Sequence, residues 1–276
     1  MTKEMQSNRR AKIAIGIALA IGAIIWMIPF VWMILSSFKT DAEIMQFPPK
    51  ILPEHFSMDN FKELFGAFNF IVYLKNTLIV VAFSFLGMFF NAMAGFGFAK
   101  YNFKGREPLF YLVLATMMIP GQVTMIPVYL IMNSLKLTNT MAGIILPGLV
   151  GAYGIFLFRQ FASAISNELL EAARLDGASE WFIFTRIVLP ISKPVLAVQG
   201  IATFIGGWNS FLWPLIMAND EKYYTLSVGL QLLKGQYANN YSLQMAGSTF
   251  MVVPILIIFM FLQKYILDGY NVSGNK

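Results

Sequence analysis

No cysteine occurs anywhere in the 276 residues, and His55 is the single histidine. Without thiols there is no disulfide framework, no Cys-ligated zinc, no iron–sulfur cluster and no thiol nucleophile. One imidazole argues against a His-based metal centre or catalytic triad, and the sequence nominates no catalytic and no metal-ligating residue. Charge is scarce as well: Asp, Glu, Lys and Arg make up only 12% of the chain, against about 25% in an average soluble domain. Nothing matches a glycine-rich phosphate loop ending in Gly-Lys-Ser/Thr, so the chain is not expected to bind ATP or any other cofactor itself.

What fills the chain instead is apolar: 57% of it is hydrophobic. One soluble core of this size could not hide that many apolar side chains, because surface grows too steeply with mass. Lipid is the expected solvent. The net charge of +6 could suggest nucleic acid, but that partner needs a basic face on a soluble fold, and no nucleic acid is expected. Lys3, Arg9, Arg10 and Lys12 precede the apolar run Ile13–Leu35. That run is too long for a signal-peptide core and no small-residue cleavage site follows, so it reads as a retained first span.

About 20 apolar residues are needed to cross the hydrocarbon core as a helix. Six uncharged stretches qualify or nearly so: Ile13–Leu35, Asn76–Ala99, Pro108–Met132, Met141–Phe158, Val195–Met217 and Tyr241–Leu262. The fourth is the shortest and carries Pro147, Gly148, Gly151 and Gly154. Pro120, Pro127 and Pro214 are expected to kink or end helices. The fold class is therefore an all-α membrane protein with six transmembrane helices: a short N-terminal segment 1–12, then one transmembrane domain over 13–276. Orientation follows from the Lys/Arg bias of the connecting segments. With the N-terminus inside, the outer segments hold only Lys39, Lys50, Lys62, Lys75, Lys136, Lys222 and Lys234, and every arginine falls inside with the remaining lysines. Both termini are then cytoplasmic.

Two connecting segments are long. The outer one, 36–75, has a Pro48-Pro49 turn and an amphipathic stretch opened by Asp59, with Phe61, Leu64, Phe65 and Phe68 at helical spacing. It fits a short interfacial helix over the outer mouth, or a landing surface for an external partner. The inner one, 159–194, contains Ser166-Asn-Glu-Leu-Leu-Glu171-Ala-Ala-Arg-Leu-Asp176-Gly177-Ala-Ser179-Glu180-Trp181. Asn167 is expected to cap a helix of roughly two and a half turns, with Gly177 as its left-handed stop and Ser179 capping a second short helix. A helix this short is marginal in water, so Leu169, Leu170, Ala173 and Trp181 or Phe182 should pack it against the inner ends of the spans. Ala172 and Ala173 let another surface come close to the backbone, and Glu171, Arg174 and Asp176 fringe that patch with charge. The pattern suits a rigid peg in a socket equally with an ordinary cytoplasmic loop helix.

The spacing Glu171-Ala172-Ala173, three residues, Gly177, nine residues, Ile187, one residue, Leu189-Pro190 resembles the EAA loop of ABC importer permeases. Ser37-Phe38-Lys39-Thr40, Tyr73-Leu-Lys-Asn76-Thr, Trp208-Asn209-Ser-Phe211, Pro254, Phe259 and Gln263 are similar to the carbohydrate-uptake branch of that family, most of all to the family of the maltose importer's smaller permease, its G subunit. The tail Asp268-Gly269 to Gly274-Asn275-Lys276 resembles that family's ending but departs in its last residues. The resemblance implies a type I importer permease fold with a coupling helix between the fourth and fifth spans. It makes Glu171, Ala172, Ala173, Arg174, Asp176 and Gly177 the residues that dock an ATPase. It also implies a second permease subunit, two ATP-binding cassette subunits carrying ATP and Mg, and an external solute-binding protein, in a bacterial inner membrane. The function implied is import of a sugar or oligosaccharide by alternating access.

The six spans contain no Asp, Glu, His, Lys or Arg, which argues against a proton relay, though backbone carbonyls could still hold sodium. Buried Asp, Cys and His are missing, so an intramembrane enzyme is disfavoured. For substrate, Trp208 and Phe211 offer flat apolar faces and Asn209 an amide at membrane depth, although Asn209 could equally bond a neighbouring helix. Gln122, Gln199 and Gln244 are weaker candidates. Polyamine or glycerol-phosphate-like solutes, and a secondary transporter or channel, are the alternatives.

Overall fold

Ile13, Leu19, Trp26 and Phe30 all face outward from the first helix, an arrangement that lipid tolerates and water does not. The computed structural model describes residues 3–66, 69–236 and 240–273; Phe68 of the amphipathic stretch and the tail residues Gly274, Asn275 and Lys276 lie outside them. In chain order the helices are α1 (Lys3–Ser36), α2 (Asp41–Met45), α3 (Asp59–Gly66), α4 (Phe70–Lys100), α5 (Arg106–Thr116), α6 (Gly121–Ser134), α7 (Met141–Ile145), α8 (Ala152–Ser163), α9 (Asn167–Leu175), α10 (Glu180–Phe182), α11 (Leu189–Ile191), α12 (Lys193–Trp208), α13 (Leu212–Met217), α14 (Leu226–Gln236) and α15 (Tyr241–Ser273). No strand occurs among the described residues.

Among the described residues, five segments are long and apolar enough to cross a membrane: Ala11–Ser36, Phe70–Lys100, Met141–Ser163, Lys193–Met217 and Tyr241–Tyr265. The sequence draws Pro108–Met132 as a single span, with a kink or a helix end expected at Pro120 and Pro127. The chain instead forms α5 and α6, bent by 102° at Met117–Pro120, and the pair makes a sixth crossing only if counted as one. Pro120 has no N–H to continue the ladder and pushes Ile119 out of helical geometry, which ends α5 there. In the same way Met141–Ser163 is interrupted by a 3₁₀ turn at Leu146–Gly148. It runs past Phe158 to Ser163, five residues beyond the end drawn from hydropathy.

Two compact units make up the chain. The first comprises residues 1–68 and 233–250. Here α2 opens with a capping box in which Thr40 and Glu43 bond each other's backbone N–H groups. Leu64 of α3 is fully buried, and Phe38, Phe61, Phe65 and Phe250 form a chain of ring contacts 5.4 to 6.4 Å apart. The Asn60 amide donates to the carbonyls of Ser37 and Lys39. Lys39, 1% exposed, donates to the Lys50 carbonyl and lies 4.5 Å from the Trp32 ring centre, so its ammonium is solvated by a carbonyl and a π face.

The second unit, residues 69–232 and 251–276, is organised around α4, which packs along α8 and α12. Gly95 permits the close approach of α8: a Cβ there would stand 2.8 Å from the Ile155 carbonyl oxygen and the Arg159 nitrogen. The N-terminal end of α4 is tied to the segment before α14. The Asn69 amide donates to Glu221, and the Asn76 amide to the carbonyls of Lys222 and Tyr224. At the other end of α4, about 45 Å away at 1.5 Å per residue, a core of Phe96, Phe158, Ala162, Leu170, Phe184 and Val188 gathers α8, α9 and the segment after α10.

Candidate functional site

The segment carrying the Glu171–Gly177 signature folds at this second end. Ser166, not Asn167, stands at the cap position of α9, and its side chain makes no bond to the helix backbone; its hydroxyl meets Glu168 at 3.4 Å. Asn167 is the first helical residue, and its amide oxygen accepts a hydrogen bond from Lys100 Nζ at 2.8 Å. Lys100 also donates to the Ile165 carbonyl, so a cation at the end of α4 replaces the expected cap. At the other terminus Gly177 has φ +85°. Gly177 N–H donates to Arg174 O and Ala178 N–H to Ala173 O, each at 3.0 Å. That pair of bonds is a Schellman stop, which fixes the length of α9 as the glycine signal indicates.

One face of α9 holds it down and the other is free. Leu170 is buried at 1% exposure, and Ala173 and Ala178 pack on the core beneath. Leu169, Trp181 and Phe182 are each about half exposed; of these, Trp181 makes edge contacts with Phe89 at 5.9 Å and is tilted against Phe184 at 6.2 Å. Glu171, Ala172, Arg174, Asp176 and Gly177 are exposed, and Leu175 is 89% exposed. The outer face of α9 thus presents one apolar side chain beside a small residue and a carboxylate.

Residues outside the signature tie α9 to its surroundings. Arg174 grips Glu180 with two nitrogens, Nε to Oε1 at 2.7 Å and Nη2 to Oε2 at 3.3 Å, and the Tyr101 hydroxyl donates to the same carboxylate. The Arg174 guanidinium, then the Tyr101 hydroxyl, holds the Glu180 carboxyl below its ordinary range. Burial, then Glu180, pushes the Tyr101 phenol up to about 12. At neutral pH the clamp is therefore a carboxylate between a guanidinium and a phenol. Ser179 caps α10 as expected, accepting from Phe182 N–H. Beyond it, Ile183–Val188 widens into a π-helical turn, because Pro190 has no N–H to offer Arg186. Near this end Arg159 forms an ion pair with Glu107 at 2.9 Å and stacks on Phe110 at 3.7 Å. Lys100, Tyr101 and Glu180 were not among the sequence candidates. A basic residue closing an apolar run is a carbonyl-binding signal, but nothing in the sequence names a partner some 65 positions on.

The aromatic–amide candidates lie elsewhere in the second unit. Trp208 is 3% exposed, donates its indole N–H to Met251 O at 2.9 Å and stacks on Phe204 at 5.5 Å. Asn209 is the exposed C-cap of α12, and Phe211 is half-buried ahead of α13. None of the three lines the open cleft of about 760 Å³ between α4, α6, α7, α8, α12 and α13, whereas Gln122 and Gln199 do. Gln244 belongs to the first unit. No charged side chain lines the cavity among the described residues.

An all-helical fold with five or six apolar crossings among the described residues defines a multi-pass membrane protein. The chain belongs to the binding-protein-dependent transport system inner membrane component family, whose model matches residues 85–270. It is 37% identical over 269 residues to the arabinooligosaccharides transport system permease protein AraQ of Bacillus subtilis strain 168, covering 96% of both chains. It is 30% identical over 252 residues to the lactose transport system permease protein LacG of Rhizobium radiobacter, covering 91% of this chain and 92% of that one. It is also 30% identical over 261 residues to the sn-glycerol-3-phosphate transport system permease protein UgpE of Brucella abortus strain 2308, covering 91% and 93%. The fold matches a chain in the crystal structure of a bacterial ABC transporter involved in the import of the acidic polysaccharide alginate, with a TM-score of 0.81 at 23% identity over 96% of this chain and 98% of that one. The likeness to carbohydrate-uptake permeases holds, while the comparison with the maltose importer's G subunit is approximate. The protein is thus a multi-pass inner-membrane permease subunit, not an enzyme, and ATP hydrolysis resides on a separate subunit.

Proposed function

We propose that this permease imports neutral sugars or oligosaccharides handed over by an external binding protein, by alternating access, with α9 as the coupling helix. The observation that carries the proposal is the capped, clamped and outward-facing α9 at the arginine-rich end of α4. Arg106, Arg159 and Arg174 gather at that end, which by the positive-inside tendency is the cytoplasmic one. Both termini and the loop 159–194 are cytoplasmic in this reading, the loop 36–75 is external, and residues 13–276 act as one permease domain. Glu171, Ala172, Ala173, Arg174, Asp176 and Gly177 then meet a groove on one of two ATP-binding cassette subunits, where ATP and Mg are held. A second permease subunit completes the pathway.

The relatives named above are permeases for arabinooligosaccharides, for lactose and for sn-glycerol-3-phosphate. An uncharged cavity leaves a phosphate or uronate without a counter-charge in a low-dielectric setting, where that omission is expensive, so neutral solutes are favoured. The test is uptake by the complete transporter in proteoliposomes, supplied with ATP and the binding protein. Arabinotriose or lactose should be taken up and sn-glycerol-3-phosphate should not. Preferential uptake of the phosphate, or uptake of any of them without an ATPase, contradicts the proposal.

A further inference from the structure

Past Ser36, where α1 ends, the first unit displays a row of apolar side chains. Met45, Phe47, Ile51, Leu52 and Phe56 are between 66% and 93% exposed. By contrast α3 turns its apolar face inward, with Leu64 fully buried and the Phe61 ring 5.4 Å from that of Phe38. The amphipathic helix covers its own apolar face, and the loop before it does not. That loop is held in place. Ser57 N–H donates to Phe38 O at 3.3 Å, Glu54 N–H to the Glu43 carboxylate at 2.7 Å, and the Phe56 ring centre lies 5.7 Å from that of Phe38. Pro48, Pro49 and Pro53 stiffen it further. Between Ile44 and Pro53 the one charged residue is Lys50, which pairs with Glu54.

Lys39 sets the depth of this loop. Its ammonium lies 4.5 Å from the Trp32 ring centre and donates to the Lys50 carbonyl. Trp32 stands one helical turn before Ser36, inside the apolar span Ala11–Ser36, and helical side chains lean toward the N-terminus, here back into the span. Lys50 is therefore drawn down beside the last turn of α1, with Phe47, Ile51 and Leu52 close to it in the chain. An exposed apolar row at that depth continues the lipid-facing surface of α1, where Ile28, Phe30 and Val31 are 39% to 58% exposed. The segment is not helical, so it suits the boundary between headgroups and acyl chains, where water still reaches the backbone, better than the hydrocarbon centre. At that boundary Lys50 keeps its ammonium in water. We propose that residues 47–52 form an interfacial membrane anchor, with Phe47, Ile51 and Leu52 inserted into the lipid of the outer leaflet beside α1. Insertion depends only on α1 crossing the membrane; the function proposed above supplies which leaflet is entered.

The chain has no native cysteine, so nitroxide labels can be placed singly at Phe47→Cys and Leu52→Cys, with Lys62→Cys on the exposed side of α3 as the aqueous control. The measurement uses the assembled transporter in phosphatidylcholine–phosphatidylglycerol liposomes, with its partner subunits freed of cysteine. Labels at 47 and 52 should collide with oxygen more than with a water-soluble nickel chelate, at a depth of about 5–10 Å below the headgroups. The label at 62 should do the reverse. Adding Ile51→Asp should shift the label at 47 toward the nickel chelate and leave the label at 62 unchanged. If Ile51→Asp does not assemble, the labels on the otherwise unaltered loop decide. Nickel access exceeding oxygen access at either position places the segment in water and overturns the anchor, and loss of that nickel access on adding the binding protein identifies a landing surface instead. Labels shielded from both reagents place a protein partner over the loop, which equally overturns it. A membrane-impermeant maleimide should label Lys62→Cys in spheroplasts. Absence of that labelling counts against the orientation in the proposed function, while the depth readings still decide insertion.

Discussion

Gly177 shows what a single backbone angle does here. At φ +85°, with open space where a Cβ would stand, the penalty on any other residue is conformational rather than steric, about 1–2 kcal/mol. Gly177→Ala should fray the end of α9 and lower sugar uptake per ATP hydrolysed, with insertion into the membrane unchanged. Gly177→Asn should be milder, because asparagine tolerates the left-handed region better. Comparing uptake and ATPase rates in one proteoliposome preparation separates the two effects. Leu170 is the complementary case. Buried beneath α9, its truncation to Ala should cost about 2–5 kcal/mol, read as a lower melting temperature of the detergent-solubilised complex together with protease access to residues 164–178.

At the scale of elements, α9 is held by contacts that come from two separate places: Lys100 and Tyr101 at the end of α4, and Glu180 of α10. A force applied to α9 therefore passes into α4 through stiff, charge-assisted bonds rather than through a loose loop. Glu180→Gln should reduce coupling while leaving the fold in place, since the pair is partly exposed. The folded-state pKa of Glu180 is depressed, so its contribution is fully present above the ordinary carboxylate value and is lost as pH falls through the depressed one. The difference in coupling between the unaltered protein and Glu180→Gln should shrink as pH is lowered through that window; a constant difference would argue against the clamp. Between α4 and α8, Gly95→Ala forces a Cβ to within 2.8 Å of backbone atoms. It should destabilise by about 1–3 kcal/mol, seen as loss of folded protein in detergent with no shift in substrate preference.

At the scale of the whole molecule, the division into a protruding α9 and an uncharged cavity matches a subunit that neither burns ATP nor captures solute from bulk by itself. Expressed alone it should show no uptake of lactose or arabinotriose above background, and uptake should return only with its permease partner, ATPases and binding protein. Radiolabelled sugar accumulation measures this directly.

Composition and spacing alone made most of the frame legible. Charge-free runs of about twenty residues demand lipid, because hydrophobic burial and backbone hydrogen bonding leave few other solutions. Gly177 announces a helix end because few other residues accept its backbone angle. The EAA spacing marked the family through local, fixed-distance features. Long-range pairings escaped that kind of reading. Lys100 displacing Asn167 as the tether of α9, Glu180 joining Arg174 to Tyr101, Trp208 turning inward to Met251 and Gln199 meeting Asn91 at Gly154 all depend on which helices become neighbours. That is settled by packing many side chains at once, as is the 102° bend at Pro120. A proline fixes where a helix is interrupted, whereas the direction taken afterwards is decided by the surfaces it then meets.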